Sequence, residues 1–198
     1  RLPLLEGGRV KPVDSFARNS LLVIRGQQSL PVDKHRLTAS QWLLDAMQHQ
    51  VPILGICYGH QLLAHALGGV VDYHPRGREM GTKEIHLAPA AAQDELFSCL
   101  PERFLAHTTH MQSVTRLPYG AEVLAWNPFE AHHGVRFAPR VWGVQFHPEF
   151  TYTAMLHYLR IRSDALTREG FDFDALQAEV TDTAESELLL RRFASISR

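Results

Sequence analysis

The sequence predicts an α/β fold of three layers, in which a mainly parallel central sheet is flanked by helices. Apolar runs and helical patterns alternate first, and several short strands and then helices follow. Two reactive side chains, Cys57 and His147, come directly after predicted strands, where open α/β sheets bind their ligands. We expect a single domain over 1–198, with an atypical N-terminal segment in 1–50 and C-terminal helices in 151–198.

The N-terminal segment offers few elements. An apolar run predicts a strand at 21–24, and a helical pattern predicts a helix over 38–48. Residues 1–19 contain two prolines and a Gly-Gly pair, which makes them a poor strand candidate. A short apolar run then predicts a buried strand at 51–56.

Helical and strand patterns alternate after this strand. Residues 58–67 form an apolar helical pattern that Gly68-Gly69 ends. β-Branched and aromatic residues at 70–73 predict a strand, and alternation of apolar and polar residues predicts another at 83–88. A short helix is expected at 95–100.

The remaining sequence predicts a largely β section followed by helices. Its strands are expected at 103–107, 121–126, 134–137 and 141–146. Its helices are expected over 154–169, from residue 172 onward, and over 185–196.

Composition excludes several classes of protein. Lys and Arg number 20 and Asp and Glu 21, so no basic excess indicates nucleic-acid binding. No apolar stretch approaches the ~18–20 residues that span a bilayer, so we expect no membrane partner. Two cysteines, Cys57 and Cys99, cannot make a disulfide framework, and they favour a reduced, cytoplasmic setting. Cys99 is expected to pack as a small buried apolar group.

The segment Gly55-Ile56-Cys57-Tyr58-Gly59 lies between a predicted strand and a predicted helix. A Gly-x-Cys-x-Gly turn at such a junction has the pattern of a nucleophile elbow with cysteine in place of serine. The glycines would leave room for a sharp, strained turn, and the helix N-terminus favours a thiolate. A lone cysteine after a strand is more often a core thiol, but the glycines and the helix start favour Cys57 as a nucleophile.

A second segment, over 141–150, supplies partners for this cysteine. A cysteine nucleophile needs a base, and the base needs a group that fixes its tautomer and orientation. His147 and Glu149 lie two residues apart, just past a predicted strand end, and fit these two roles. Alone, His147 would more often be a packed or surface histidine; its spacing to Glu149 favours the base.

The motifs Gly-Ile-Cys-Tyr-Gly-His-Gln at 55–61 and Gly-Val-Gln-Phe-His-Pro-Glu at 143–149 resemble those of class I glutamine amidotransferases. The closest resemblance is to stand-alone members related to the amidotransferase domain of GMP synthase, and it covers 51–198. It implies a flavodoxin-like domain that hydrolyses the side-chain amide of L-glutamine through a γ-glutamyl thioester and releases ammonia. It also implies the roles of nucleophile, base and orienting partner for the cysteine, histidine and glutamate of these motifs.

The same resemblance implies further site residues. The backbone N–H of Tyr58 would be one oxyanion donor, and Gln61 would help to hold the substrate glutamine. His110, Met111 and Gln112 match the segment that lines the amino-acid end of the substrate. Each has a plainer interpretation, with Gln61 as a solvated helix residue and the last three as an ordinary turn.

The N-terminal segment departs from the family pattern. The family spends ~50–60 residues before the helix that precedes the elbow, whereas here only 1–37 are available. Gly26 occupies the place of the second oxyanion donor, but Arg25 and Gln27 stand where small residues and proline are usual. Residues 8–19 also resemble a stretch of cytochrome c assembly proteins, so we expect either a substituted N-terminus or a chain with residues missing.

No metal or cofactor is expected. His132 and His133 have the pattern of surface histidines, because no cysteine or carboxylate cluster accompanies them. The sequence has no ATP-binding loop, so released ammonia would pass to a separate synthase chain. Two alternatives stay open, namely a hydrolase of other γ-glutamyl amides or peptides and a non-catalytic or chimeric relative.

Overall fold

The computed structural model describes residues 51–197 and four short strands within residues 3–38. These four strands form two antiparallel pairs: β1 (Pro3–Glu6) with β2 (Arg9–Pro12), and β3 (Ser29–Val32) with β4 (His35–Thr38). The chain divides into two compact units. One comprises Arg1–Ile53 and Pro139–Val141, and the other comprises Leu54–Ala138 and Trp142–Arg198.

The first strand pair corrects the expectation that residues 1–19 are a poor strand candidate. The sequence between β1 and β2 is Gly-Gly, which is typical of a two-residue hairpin connection. Pro3 and Pro12 stand opposite each other at the end of the ladder, where a missing N–H costs little. The hairpin signal therefore outweighs the two prolines.

The helix predicted over 38–48 does not begin where expected, because Thr38 is the last residue of β4 and pairs with Ser29. A β-branched threonine is favourable in a strand, although its hydroxyl could equally have capped a helix, so the local sequence did not decide between the two. The rest of that predicted helix, the predicted strand at 21–24 and the candidate oxyanion donor Gly26 lie outside the described residues.

The strands and helices after residue 51 make the α/β fold. The strands are β5 (Ile53–Ile56), β6 (Val70–Tyr73), β7 (Glu79–Leu87), β8 (Arg103–His110), β9 (Gln112–Arg116), β10 (Glu122–Trp126), β11 (Gly134–Ala138) and β12 (Val141–Val144). The α-helices are α1 (Tyr58–Ala66), α2 (Tyr152–Ile161), α3 (Ser163–Arg168), α4 (Phe173–Ala178) and α5 (Ala184–Ile196). Two short 3₁₀-helices are Pro89–Gln93 and Phe97–Cys99. No helix in the described part of the chain has the length and apolar character needed to cross a membrane.

Six strands form the central sheet in the order β5-β12-β11-β10-β7-β8, and β6 pairs with β9 in a separate antiparallel ribbon. The neighbours β7 and β8, β7 and β10, and β10 and β11 are antiparallel. The bonds from Ile53 N to Arg140 O and from Cys57 N to Val144 O advance in the same direction along both chains, as in parallel strands. The predicted α/β class is confirmed, and the sheet over the described strands is mixed where the sequence predicted a mainly parallel one.

Several elements differ in length from the prediction. β7 begins at Glu79, four residues before the predicted strand at 83–88. The prediction missed these residues because Gly81, which has a positive φ, interrupts the alternation of apolar and polar residues. The helix predicted over 154–169 is divided into α2 and α3 at Arg162. The strand at 70–73 has the predicted bounds.

Apolar side chains pack on both faces of this sheet and so fix the strand ends that carry the site. Trp142 and Phe146 lie in one cluster with Leu189 of α5, and the indole N–H of Trp142 donates to Asp94 at 3.1 Å. A second cluster joins Met80 of β7 to helices α2, α3 and α4. Each fully buried side chain of this size stabilises the fold by ~1.5–3 kcal/mol.

Cys99 corrects a further expectation, because it is exposed rather than buried. It ends the 3₁₀-helix that begins with Phe97, and the fully buried Phe97 ring occupies the position that faces the core. The Cys99 thiol instead donates a hydrogen bond to the carbonyl oxygen of Leu96 at 3.3 Å.

Candidate active site

Cys57 lies at the junction of β5 and α1, as the N-cap residue of the helix. Its φ of 47° and ψ of −100° are rarely adopted by residues other than glycine. The backbone N–H of Cys57 donates to the carbonyl oxygen of Val144 at 2.7 Å, so the neighbouring strand β12 helps to hold the strained turn. The turn presents the thiol at the N-terminal end of α1, where backbone N–H groups point out of the helix.

The two glycines of the elbow have different surroundings. A Cβ atom on Gly55 would lie 2.6 Å from the backbone carbonyl of Gly59 and 2.7 Å from Leu63 Cδ1. A Cβ atom on Gly59 would meet nothing within 4 Å. The clash expected on both sides of the cysteine is therefore confirmed for Gly55 and wrong for Gly59.

His147 and Glu149 are bonded to each other just beyond β12. Nδ1 of His147 lies 2.7 Å from Oε1 of Glu149, and the ring of Phe150 stacks on the imidazole at 4.3 Å between centroids. The backbone N–H of His147 donates to the carbonyl oxygen of His107 at 2.8 Å. These contacts fix both the position and the tautomer of the imidazole, because a carboxylate at Nδ1 requires the proton on that nitrogen.

Three influences set the charge on His147. Burial disfavours the imidazolium and lowers the pKa of His147, but the Cys57 thiol and the Glu149 carboxylate outweigh burial and raise it to about 9. Nε2 of His147 is buried and makes no hydrogen bond of ordinary geometry to the described residues. The Cys57 side chain nonetheless lies close enough to the ring to raise the pKa of His147.

Gln145 is a site residue that the sequence analysis missed. It is fully buried, and its Nε2 donates to the sulfur of Cys57 at 3.5 Å. Its Oε1 accepts from Nε2 of Gln61 at 3.0 Å, which fixes the direction of the amide. Its spacing could have indicated this position, because Gln145 and His147 are two residues apart and alternate residues of an extended chain lie on the same face.

Gln61 and Gln112, both predicted from the sequence to be substrate residues, contact each other in the structure. Gln61 lies in the first turn of α1 with 6% of its surface exposed, so it is not a solvated helix residue. Its Nε2 also donates to the backbone carbonyl of Gln112 at 2.7 Å. Tyr58 is the first residue of α1, where backbone N–H groups point out of the helix end.

The other two predicted substrate residues have different neighbours. Met111 joins β8 to β9, and its sulfur lies 2.7 Å from Nη2 of Arg78. His110 is buried, with Nδ1 3.0 Å from the carbonyl oxygen of Gln112 and Nε2 3.0 Å from Oε2 of Glu79. Both ring nitrogens of His110 thus face protein groups.

His133 corrects the expectation of surface histidines at 132 and 133. It is fully buried, whereas His132 is half-buried. His133 directly precedes β11, and its Nε2 lies 3.0 Å from Oε2 of Glu79. A carboxylate therefore does accompany these histidines, but it comes from a strand more than fifty residues earlier in the sequence.

The family model for class-I glutamine amidotransferases matches residues 28–162. The chain belongs to this family. Cys57 begins a helix in a strained conformation and His147 contacts Glu149, and the roles of nucleophile, base and orienting partner stay predictions for these three residues.

Two GMP synthase relatives are similar to this amidotransferase over most of its length. A glutamine-hydrolysing GMP synthase subunit of Methanopyrus kandleri is 32% identical over 143 residues, which cover 72% of this chain and 73% of that protein. The glutamine-hydrolysing GMP synthase of Thermomicrobium roseum is 36% identical over 145 residues, which cover 73% of this chain and 24% of that protein. Matches to the longer GMP synthases, that of Thermosipho africanus included, span about a fifth to a quarter of their length.

Solved structures agree on the fold. A glutamine amidotransferase from Thermotoga maritima superposes with a TM-score of 0.65 at 23% identity, covering 79% of this chain and 66% of that one. One from Methylobacillus flagellatus superposes with a TM-score of 0.54 at 25% identity, covering 85% of this chain and 68% of that one. The class I amidotransferase fold is therefore shared with proteins of different sequence.

Proposed function

We propose that this amidotransferase hydrolyses the side-chain amide of L-glutamine to glutamate and ammonia through a thioester on Cys57. The observation that carries the proposal is the state of His147, which the Glu149 carboxylate and the Cys57 thiol together favour as an imidazolium at neutral pH. A thiolate–imidazolium pair is the reactive form of a cysteine–histidine site.

The first step forms the thioester. The Cys57 thiolate attacks the amide carbon, a C–S bond forms, and the carbonyl electrons move onto oxygen. The N–H of Tyr58 is one proposed donor to this oxyanion, and Gly26 remains our candidate for the second. His147 then gives its Nε2 proton to the amide nitrogen, the C–N bond breaks, and ammonia leaves.

The second step releases glutamate. His147, now neutral, takes a proton from water through Nε2, and the hydroxyl attacks the thioester carbon. When this intermediate collapses, the C–S bond breaks and Cys57 leaves as a thiolate, which restores the ion pair. Glu149 keeps the proton on Nδ1 in both steps and stabilises each imidazolium that forms.

Substrate binding is assigned to the residues around Gln61. Its Nε2 already donates to Gln112 and Gln145, which leaves Oε1 to accept a hydrogen bond from the substrate. We retain Met111 and Gln112 as residues of the substrate pocket. His110 is assigned to the support of Gln112 rather than to contact with glutamine, because both of its ring nitrogens face protein groups.

We further propose that ammonia passes to a separate synthase chain and that the enzyme works in the cytoplasm. The partner is supported by the Methanopyrus kandleri relative, which is one subunit of a GMP synthase. The synthase of this chain need not make GMP, because the matched region concerns the amidotransferase part of its relatives.

The test compares two single-cysteine changes. Cys57→Ala should abolish release of ammonia from glutamine, and Cys99→Ala, which changes an exposed thiol, should leave it nearly intact. A glutamine-mimicking chloroketone should label Cys57 alone, as mapped by peptide mass spectrometry. Labelling of Cys99, or full activity in Cys57→Ala, would refute the nucleophile. Turnover of γ-glutamyl peptides but not of glutamine would favour the alternative of a hydrolase for other γ-glutamyl substrates. A folded chain that turns over neither, even with candidate synthases present, would favour the alternative of a non-catalytic relative.

A further inference from the structure

Three strand ends bring a carboxylate and two histidines together behind the substrate region. Glu79 begins β7, His110 ends β8, and His133 directly precedes β11. All three are buried, and one ligand-type atom from each lies within 4.8 Å of the others. The bond-making steps proposed above use none of the three residues, and His110 enters that proposal only as a support for Gln112.

The contacts of His110 require a proton or a metal ion between its ring and Glu79. Its Nδ1 lies 3.0 Å from the carbonyl oxygen of Gln112, which only accepts hydrogen bonds, so Nδ1 carries the proton. The neutral ring then has a lone pair on Nε2, yet Nε2 lies 3.0 Å from a carboxylate oxygen of Glu79, which is also an acceptor. Two acceptors at this distance repel each other unless a proton or a metal ion lies between them.

His133 shows which cation fits. Its Nε2 lies 3.0 Å from the same Glu79 oxygen, but neither of its ring nitrogens makes an aligned hydrogen bond to the described residues. A buried polar side chain without partners calls for an explanation such as an ion. One extra proton on His110 would satisfy that ring but would leave the contact of His133 with Glu79 poorly aligned, whereas a metal ion would accept a lone pair from each ring.

We propose that Glu79, His110 and His133 bind a divalent transition-metal ion, for which Zn²⁺ is the best match to two imidazoles and one carboxylate. The two nitrogen–oxygen distances of 3.0 Å approach the ~3.3 Å that separates ligands around a tetrahedral zinc with bonds of about 2.0 Å. A water molecule would complete the coordination.

Groups around the three ligands are arranged as outer-shell partners of a metal site. The Gln112 carbonyl fixes the His110 tautomer that leaves Nε2 unprotonated, and the side-chain N–H of Asn127 donates to the other Glu79 oxygen at 2.7 Å. Metal-binding histidines and carboxylates are usually held in this way. Because Gln112 also accepts from Gln61, the ion would support the substrate region from behind, and its role is structural.

The test measures metal content directly and does not depend on glutaminase activity. Protein equilibrated with Zn²⁺ and freed of excess ion should carry one more zinc per chain in wild type than in Glu79→Gln or His133→Gln. The Co²⁺-substituted wild type should absorb in the visible region as tetrahedral cobalt with nitrogen and oxygen ligands does, and both variants should lose this absorption.

A surface pair on the same strand provides the matched control. His86 and Glu84 are 2.8 Å apart and more exposed, so Glu84→Gln removes a comparable histidine contact without touching the cluster. This variant should hold as much zinc as wild type. Equal zinc in wild type and both cluster variants, or no cobalt spectrum in wild type, would overturn the proposal. Circular dichroism identifies a variant that fails to fold, in which case the wild-type cobalt spectrum alone decides.

Discussion

Replacing Glu149 with glutamine tests the electrostatics of the proposed ion pair. The change removes the negative charge beside His147 and keeps an oxygen that can accept from Nδ1. The imidazolium should therefore become less stable while its orientation is largely retained.

The size of the effect follows from the pKa of His147. Its rise from 6.5 to about 9 corresponds to ~3.4 kcal/mol in favour of the imidazolium, at 1.36 kcal/mol per pKa unit. An opposite charge in contact contributes ~1–3 pKa units. Because the Glu149 side chain is 41% exposed and partly screened by solvent, we place its share at the lower end, ~1 unit.

The assay is kcat/KM for glutamine as a function of pH. Activity that depends on the imidazolium is present below its pKa and is lost as pH rises through it, so the wild-type profile should fall near pH 9. In Glu149→Gln the fall should begin ~1 pH unit lower, so activity at pH 9 should drop about fivefold relative to wild type while activity at pH 7 changes little. Glu84→Gln, which removes the surface carboxylate bonded to His86, should reproduce the wild-type profile. An unchanged alkaline limb in Glu149→Gln would refute the reasoning.

Three further changes have definite expected outcomes. Gln145→Leu removes the N–H directed at the Cys57 sulfur and should lower kcat ~10–100-fold, since a hydrogen bond to a charged group contributes ~1.5–3 kcal/mol. Gln93→Leu, a matched change on the surface, should have no effect in the same assay. Gly55→Ala should lower the free energy of unfolding in urea by ~1–3 kcal/mol through overlap with backbone atoms, and Gly59→Ala should lower it by less than ~1 kcal/mol. Burial lowers the pKa of His60 to about 3, so the folded state takes up this proton less readily than the unfolded state. The free energy of unfolding of wild type should therefore decrease as pH falls from 6.5 towards 3. In His60→Leu the melting temperature should fall less between pH 7 and pH 4 than it does in wild type.

Much of the fold after residue 51 could be predicted because local signals mark its elements. Gly68-Gly69 end α1 where expected, and the strand at 70–73 follows directly. Strand order and direction could not be predicted in the same way. The antiparallel pairing of β7 with β8 and β10 depends on contacts between segments distant in sequence. The first residues of β7 were missed because Gly81 interrupts the alternating pattern there.

In the candidate site, too, residues marked by a local motif could be predicted, and residues that depend on distant contacts could not. Cys57, His147 and Glu149 were predictable because each lies in a short motif at a strand end, and those motifs resemble one family. Gln145 and His133 were not, because a polar residue in a strand or loop gives no local indication that it will be buried. Their partners Gln61 and Glu79 lie 84 and 54 residues away in the chain. The second oxyanion donor stays a prediction, since Gly26 lies outside the described residues.

The bond between His147 and His107 has a consequence for the edge of the sheet. β12 is second in the strand order and β8 is last, yet the residue that follows β12 by three positions forms an antiparallel bridge to β8. The sheet therefore curls until β8 and the segment after β12 meet beside the candidate site, much as a barrel closes. An edge strand normally offers its backbone to other chains, with a risk of aggregation. At this point the carbonyl of His107 in β8 accepts from the N–H of His147, so one hydrogen bond both positions the imidazole that we propose as the base and removes one backbone acceptor from the edge of the sheet.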